Sequence, residues 1–202
     1  MTHPRIKLVL WDFNGVVVNG DHAILSRHFG RIHGTPWQKV YAILYTKYLN
    51  LYAMNRITDR EAWEGPIREL GWKQDWQKMK WWYLNRQRLQ KTVIAYVQTL
   101  RRRGYACAVI SKNITTWFAY LRKRLGFEKY FDGVVETQSL NLPKSSPQTV
   151  RYLCKRFKVK PNEIVYIDDQ AANLKAPKQM GVNTILYRNL TQCRRELTKL
   201  LD

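Results

Sequence analysis

The feature that most constrains the fold is a short apolar run that ends in an acid. Residues 6–11 read Ile-Lys-Leu-Val-Leu-Trp, and Asp12 follows directly. A run of this length, rich in Leu and Val, is typical of a buried strand in a parallel sheet rather than of a helix. Open α/β sheets bind ligands at the carboxyl ends of their strands, which makes Asp12 a candidate functional residue. Gly15 then allows a sharp turn and a close approach of the backbone to a ligand. The alternative is an edge strand followed by an Asx-type turn.

A second stretch has the same order of residues. The apolar run 163–167 leads directly into Asp168 and Asp169, and a further run, 106–110, leads into Ser111. Two shorter runs, 133–137 and 182–186, complete a set of five predicted strands, with amphipathic helical patterns between them. This alternation predicts a Rossmann-like α/β core. It is a doubly wound parallel sheet with right-handed crossovers and helices on both faces.

The segment between the first two predicted strands differs in character, because it contains no strand-like apolar run. Three helices are expected there. The first begins at Pro36 with Thr35 as its N-cap, and the second begins with a capping box at residues 58–61 and closes at Gly71. The third carries an apolar stripe at helical spacing, formed by Trp72, Trp76, Met79 and Tyr83. The segment is therefore predicted to be a helical insertion.

Composition limits the class of protein. With 202 residues the chain suits one domain, or a core with one insertion, and 45% hydrophobic with 25% charged residues is ordinary for a globular protein. No run is long enough to cross a membrane, and no signal peptide is expected, because the first residues lead into the predicted first strand. Three widely spaced cysteines are expected to be buried thiols in a reducing cytoplasm.

The net charge of +20 indicates either a nucleic-acid surface or a solvated basic one. Many cations lie just before glycines, at 101–103, 122–124 and 178, where they complement helix dipoles. This favours the solvated surface, although nucleic-acid binding stays possible. The aromatic residues of the insertion could stack on nucleic-acid bases, or they could form the hydrophobic core of a cap. Their helical spacing favours a cap core, with Trp81 and Trp82 outside the stripe.

Pro177 affects where the helix after the two acids is predicted to begin. A proline inside a helix costs about 3 kcal/mol or more, because it removes a hydrogen bond and clashes with the preceding turn. The prediction therefore makes residues 169–172 a polar loop. The helix then begins near Asn173, with Pro177 close to its first turn.

The order of Asp12, Ser111, Lys144 and the pair at 168–169 resembles the four motifs of the haloacid dehalogenase-like (HAD) superfamily. The resemblance extends from Ile6 to about Tyr187. It implies a Rossmann-like core, Mg²⁺ and phosphoryl transfer through an aspartyl-phosphate. It also implies that the insertion is a cap of the helical C1 type that covers the site and selects the substrate. The core is predicted to comprise residues 1–18 and 86–202, and the cap residues 19–85.

The resemblance implies a role for each motif residue. Asp12 is the expected nucleophile, and a cation must bring its carboxylate and the phosphate together. Asp12, Asp168 and the main-chain carbonyl of Asn14 are the expected Mg²⁺ ligands, with Asp169 acting through water or orienting them.

Three further residues are expected to hold the phosphate. Ser111 would donate a hydrogen bond to a phosphoryl oxygen, and Lys144 would neutralise both the phosphate and the Asp12 carboxylate. Lys112, in the Ser-Lys-Asn sequence at 111–113, is counted with the substrate-binding residues. The expected function is a cytoplasmic, Mg²⁺-dependent phosphatase of small phosphorylated molecules, and the sequence does not define its oligomeric state.

Asn14 departs from the family pattern, because the phosphatases usually have a second aspartate there that serves as acid and base. An amide can do neither, and the loss of such a group typically costs about 10²–10⁴-fold in rate. The enzyme could be restricted to good leaving groups, or slow with an acid from the cap such as Asp21 or His22. It could instead bind phosphate or nucleic acid without turnover. A deliberate replacement of aspartate by asparagine at position 14 would give the same sequence. Dehalogenation of 2-halo acids also occurs in the superfamily with a non-acid at this position, but the sequence shows no signal of a halide site.

Overall fold

The computed structural model describes residues 6–20 and 22–201, without the side chain of His22. Its sheet has five strands, all parallel, in the order β3-β2-β1-β4-β5. They are β1 Leu8–Asp12, β2 Ala106–Ser111, β3 Gly133–Glu136, β4 Ile164–Asp168 and β5 Asn183–Leu186. The predicted fold class, a doubly wound α/β sheet with a Rossmann-like core, is confirmed. β1 lies at the centre, between β2 and β4, so the three strands that carry the motif residues are neighbours.

The helices account for most of the remaining chain. They are α1 His22–Ile32, α2 Trp37–Tyr41, α3 Asn50–Ala53, α4 Asp59–Glu69, α5 Trp76–Arg86, α6 Lys91–Arg102, α7 Thr115–Leu125, α8 Pro147–Phe157, α9 Ala171–Gln179 and α10 Leu190–Leu201. A π-helical segment, Ala42–Leu49, joins α2 to α3, and short 3₁₀ turns occupy Phe127–Tyr130 and Pro161–Glu163. None of the helices in this described part of the chain is long and apolar enough to span a bilayer.

Both faces of the sheet are covered, as the continuous apolar runs require. Alternate residues of β1 enter different core clusters, with Val9 and Trp11 in one and Leu8 and Leu10 in the other. The first cluster includes apolar side chains of α6, α7 and α10, and the second includes those of α8 and α9. Strands buried on both faces place their last residues at a protected edge, where polar side chains can face a ligand.

The insertion is helical, and its second predicted helix has the expected start. The Thr58 hydroxyl accepts a hydrogen bond from the Glu61 N–H at 3.2 Å, and the Glu61 carboxylate accepts one from the Thr58 N–H at 2.7 Å. The first helix was predicted one residue early, because Pro36 occupies the N-cap position and α2 begins at Trp37. Thr35 does not cap it, since its hydroxyl accepts a hydrogen bond from the Trp72 indole at 3.1 Å.

The third predicted helix begins later than its apolar stripe indicated. The Asp75 carboxylate accepts a hydrogen bond from the Lys78 N–H at 3.0 Å and caps α5, so Trp72 lies outside the helix. Trp72 is buried nevertheless, stacked on His33 with ring centroids 4.3 Å apart. Met79 and Tyr83 are buried as expected, and Trp81 is 43% exposed. These positions agree with aromatic residues that form the core of the insertion.

The predicted start of the helix after the acids is wrong. α9 begins at Ala171, which makes Pro177 its seventh residue rather than part of its first turn. Pro177 is buried with Leu174 on the inner side of this helix. Burial of the ring against the sheet offsets the hydrogen bond that proline cannot donate. Gln170 is therefore the only residue between Asp169 and the helix.

The two segments that lead into and out of the insertion pair with one another. The Asn19 N–H donates to the Arg88 carbonyl at 3.0 Å, and the Gln90 N–H donates to the Val17 carbonyl at 2.9 Å. The Asn19 side chain also accepts a hydrogen bond from the Arg88 N–H at 2.7 Å. These contacts lie beside the predicted domain boundaries at 18/19 and 85/86. The division into core and cap stays a prediction.

The cysteines generate the first testable prediction. Cys107 and Cys193 are buried, and burial raises the pKa of each thiol to about 12. Cys154 is half-buried. Since the thiolate is the reactive form, we expect an aromatic disulfide reagent at about pH 8 to modify Cys154 alone in the native protein, and all three thiols after unfolding. The Cys154→Ser variant is the control. Rapid modification of that variant in the native state would contradict the burial of the other two.

Candidate active site

Two of the acids come together because their strands are neighbours. Asp12 ends β1 and Asp168 ends β4, and both are almost fully buried, at 3% and 0% exposure. The carboxylate oxygens of Asp12, Asp168 and Asp169 lie within 4.8 Å of one another. In-register parallel strands thus bring residues more than 150 positions apart in the sequence to one edge of the sheet.

Gly15 allows the third acid to approach. Its φ is +84°, a conformation that side chains rarely adopt. A Cβ atom at this position would lie 2.2 Å from the Asp169 Oδ2 atom. Any other residue would therefore push Asp169 away from its partners. The approach of a ligand to Gly15 stays a prediction, and the group that Gly15 admits here is a carboxylate of the same site.

Lys144 lies in the loop before α8 and supplies the buried positive charge. Its ammonium donates a hydrogen bond to the Asp12 Oδ1 atom and lies 3.2 Å from the Asp168 Oδ2 atom. Burial works to lower the pKa of Lys144, but the two carboxylates outweigh it and the pKa is raised. Lys144 is therefore an ammonium ion that bridges the two acids.

Asp168 is held by three groups that the sequence analysis did not select. The Tyr166 hydroxyl donates to its Oδ2 atom at 2.8 Å, and the Gln170 N–H donates to its Oδ1 atom at 2.9 Å. The Asn173 amide donates to both oxygens, at 3.0 and 3.1 Å. Tyr166 could have been found from strand periodicity, because residues two apart share a face. Asn173 could not, because its position depends on the correct start of α9.

The site has more negative than positive charge. Of the three carboxylates, Asp12 and Asp168 pair with the Lys144 ammonium, and Asp169 forms no ion pair with it. Burial raises the pKa of Asp12 well above its usual value, with Lys144 opposing this and Asp168 adding to it. The pKa of Asp169 is raised by burial and then by Asp168. Acids that are harder to ionise than usual indicate that the site lacks positive charge, and a divalent cation would supply it.

Ser111 and its neighbours form the side of the site next to β2. Ser111 ends that strand and is buried, and its hydroxyl accepts a hydrogen bond from the Asn113 N–H at 3.0 Å. The Asn113 side-chain amide nitrogen is buried without a hydrogen-bond partner among the described residues. Lys112 is exposed, and burial of part of its side chain, together with nearby Lys144, lowers its pKa. These groups present hydrogen-bond donors and a cation to an anion.

A cavity of about 120 Å³ lies over these groups. Besides Gly20, four residues of the insertion line it: Tyr45, Leu49, Asn50 and Ala53. Among the residues of the core that line it are Asp12, Asn14, Ser111, Lys112, Lys144 and Asp169. Its volume is below the roughly 300–1,000 Å³ of drug-sized pockets, which favours a small ligand. The insertion therefore covers the site, and the sequence did not indicate which of its residues would do so.

Asn14 lines the cavity two residues after Asp12, at the position where the family's phosphatases usually have an acid. Its side-chain oxygen is buried and has no hydrogen-bond partner in the described part of the chain. The sequence suggested Asp21 or His22 of the insertion as a substitute acid, but the structure tests neither of them. Asp21 lies outside the described residues, as does the side chain of His22.

Comparison with known proteins gives a family match over most of the chain. A model of haloacid dehalogenase-like hydrolases matches residues 6–181. Bifunctional epoxide hydrolase 2 of Mus musculus is 31% identical over 124 residues, which are 58% of this chain and 21% of that protein. Phosphoglycolate phosphatase of Haemophilus influenzae is 27% identical over 97 residues, or 48% and 43% of the two chains. The chain thus spans about a fifth of the mouse protein and less than half of the bacterial one.

Solved structures share the fold at low sequence identity. A HAD family enzyme of Bacteroides thetaiotaomicron, in complex with magnesium and inorganic phosphate, has a TM-score of 0.71 and 18% identity, with 91% and 94% of the chains covered. L-2-haloacid dehalogenase of Xanthobacter autotrophicus has a TM-score of 0.68 and 19% identity, with 96% and 83% covered. At such identities the likeness establishes the fold alone.

The charge balance of the site generates a stability prediction. In Lys144→Met the two buried carboxylates lose their shared cation, and we expect the free energy of unfolding in urea, without divalent metal, to fall by about 3 kcal/mol or more at about pH 8. The deficit should shrink towards about pH 5, because an acid whose folded pKa is raised takes up a proton as the pH falls through that pKa.

Lys155→Met is the matched control for this prediction. Lys155 is exposed on α8, so its replacement should change the free energy by less than about 0.5 kcal/mol. A Lys144 variant as stable as this control would show that the ammonium does not balance the buried acids.

Proposed function

We propose that this chain, which belongs to the haloacid dehalogenase-like hydrolase family, is a Mg²⁺-dependent phosphatase of small phosphorylated molecules. The observation that carries the proposal is the cluster of Asp12, Asp168 and Asp169 at a small cavity that Ser111 also lines, with the Lys144 ammonium between the first two acids. The bacterial relative named as a phosphoglycolate phosphatase and the neighbour that binds magnesium and phosphate support it.

The residues present fit Mg²⁺. The ion prefers oxygen ligands and is commonly held by one or two carboxylates together with water and substrate oxygens. Three carboxylates within 4.8 Å of one another, with raised pKa values at Asp12 and Asp169, meet that requirement. Asp12, Asp168 and the Asn14 carbonyl would hold the ion, with Asp169 acting through water. When bound, Mg²⁺ would neutralise the carboxylates and polarise a phosphoryl oxygen.

The chain's own groups would divide the reaction between them. An Asp12 carboxylate oxygen attacks phosphorus, the bond to the leaving oxygen breaks, and an aspartyl-phosphate forms; water then attacks phosphorus and releases Asp12. Lys144 is placed to stabilise charge on the phosphoryl oxygens, and Ser111 to donate a hydrogen bond to one of them. Lys112 would attract the substrate to the mouth of the cavity. Catalysis of this kind depends mostly on positioning and charge.

Asn14 sets a limit on this chemistry. Its amide cannot protonate an alkoxide leaving group or take a proton from water. The enzyme is therefore expected to be slow on alkyl phosphates and faster on substrates whose leaving groups need no proton.

The alternative is a HAD-fold protein that binds phosphate or nucleic acid without turnover. The net charge of +20 and Asn14 motivate it. Retardation of single-stranded RNA or DNA by the protein at physiological salt, weakening as salt rises, would favour this alternative if turnover were also absent.

Turnover of p-nitrophenyl phosphate is the direct test. We expect activity that requires Mg²⁺ and is removed by Asp12→Ala and by Asp12→Asn, the latter nearly isosteric with the acid but not a nucleophile. Chloride release from 2-chloropropionate is a parallel assay, and none is expected. Activity that persists in either variant would show that another group attacks phosphorus.

The role of residue 14 gives a second prediction. Asn14→Asp restores an acid and base to the cavity, and we expect kcat/KM to rise at least about tenfold on alkyl phosphates. The rise on aryl phosphates should be much smaller, because a nitrophenolate leaves without a proton. Asn14→Gln is the control and should give no rise. Equal gains on both substrate classes would show that protonation of the leaving group is not what this position limits.

A further inference from the structure

The covered side of the cavity is where a leaving group must lie. In an in-line displacement the leaving oxygen points away from the attacking one. Asp12 would attack from the strand ends, so the leaving oxygen would point towards the insertion, whose lining residues besides Gly20 are Tyr45, Leu49, Asn50 and Ala53. Only the Tyr45 hydroxyl among these four side chains can transfer a proton, because the other three are one amide and two hydrocarbon side chains.

Tyr45 is close to the reacting groups. Its hydroxyl forms a hydrogen bond with the Gln170 side chain, and its ionisation is coupled to the charges of Asp169, Asp12 and Lys144. Burial raises the pKa of Tyr45, so it carries its proton in the resting enzyme, while the bond to Gln170 favours the phenolate. The hydrogen bond with Gln170 would stabilise the phenolate oxygen of Tyr45 after its proton has been transferred.

The backbone that carries Tyr45 is unusual. It lies in the π-helical segment Ala42–Leu49, and π-helical turns occur frequently at functional sites. The segment is packed firmly, because the Tyr48 ring lies where a Cβ atom at Gly65 would be, 2.1 Å away. The Tyr48 hydroxyl and the Lys47 ammonium both donate to the Glu69 carboxylate, at 2.9 and 2.7 Å. α4 thus fixes the segment from outside and leaves Tyr45 at the cavity.

We propose that Tyr45 is the proton donor to the leaving group and so performs part of the task that Asn14 cannot. The inference rests on the phosphatase function proposed above. An Asp12 oxygen bonds to phosphorus while the bond to the leaving oxygen breaks, and that oxygen takes the Tyr45 proton. Water then attacks the aspartyl-phosphate, gives a proton back to the phenolate, and leaves inorganic phosphate and a free Asp12 carboxylate.

Other groups at the cavity are less suited to this step. Lys144 is held between two carboxylates, and Ser111 and Lys112 lie beside β2 at the side expected to bind the phosphoryl oxygens. Their hydrogen-bond donors are expected to stabilise the negative charge on the phosphoryl oxygens. Tyr45 lines the same cavity from the insertion, so its hydroxyl is the group left to serve the leaving atom.

A double-mutant cycle tests the inference. The values of kcat/KM would be measured with Mg²⁺ for the natural chain, Tyr45→Phe, Asn14→Asp and the double variant, on glycerol phosphate and on p-nitrophenyl phosphate. We expect Tyr45→Phe to lose about tenfold or more on glycerol phosphate and less than about threefold on p-nitrophenyl phosphate. In the Asn14→Asp background the loss on both should be less than about threefold, because the aspartate then carries the proton.

Two controls separate a chemical role from a structural one. Tyr48→Phe, in the same segment but bonded to Glu69 outside the cavity, should leave both rates unchanged. Inhibition by inorganic phosphate should be the same for the natural chain and Tyr45→Phe, since the proposed role is not in phosphate binding.

The possible outcomes distinguish the role of Tyr45 from the phosphatase function on which it rests. No Mg²⁺-dependent turnover of p-nitrophenyl phosphate by the natural chain would contradict the phosphatase function, and the role of Tyr45 with it. Normal turnover of that substrate would leave the function standing. The role of Tyr45 alone would then be overturned by equal losses on both substrates, by an undiminished loss in the Asn14→Asp background, or by no measurable turnover of glycerol phosphate.

Discussion

The site depends on the burial of acids beside a single ammonium at the carboxyl edge of the sheet. Unpaired charges of this kind are expensive to bury, so every supporting contact has to be present. Lys144 bridges Asp12 and Asp168, and Tyr166 and Asn173 donate further hydrogen bonds to the Asp168 carboxylate. Under the proposed function, the excess of negative charge that is left over would give the site its affinity for a cation. The uncompensated negative charge thus lowers the stability of the fold and would favour the cation that the proposed reaction needs.

Contacts between the insertion and the core hold the insertion over this edge of the sheet. The Trp117 indole of α7 donates to the Asp59 carboxylate at the start of α4, at 3.0 Å. The Gln138 amide, in the loop after β3, donates to the Ala53 carbonyl at 3.2 Å. Ala53 itself lines the cavity. The contacts that fix the insertion thus also hold Tyr45 in the lining of the cavity that it shares with Asp12. A displacement in line through phosphorus needs groups on both the attacking and the leaving side.

Sequence patterns predicted the parts of the molecule that follow from periodicity. Buried strands with a polar residue at the end are legible, and they led to Asp12, Ser111 and Asp168 without coordinates. Lys144 was found by its resemblance to a family motif, since a lone lysine in a loop has no periodic signal. Where tertiary packing overrides local preference, the patterns failed, as at Pro177 and Trp72. The place of Tyr45 at the cavity depends on a π-helical turn and on the docking of the insertion, neither of which sequence spacing encodes.

The most direct measurement of the central claim is the isolation of the covalent intermediate. The protein would be mixed with p-nitrophenyl phosphate and Mg²⁺, quenched in acid at short times and digested, and the phosphorylated peptide located by mass spectrometry. The account predicts one Mg²⁺-dependent phosphoryl group, labile to hydroxylamine as an acyl phosphate is, on Asp12. A phosphoryl group on Ser111 or any other residue, or rapid turnover with no covalent adduct at any quench time, would contradict it.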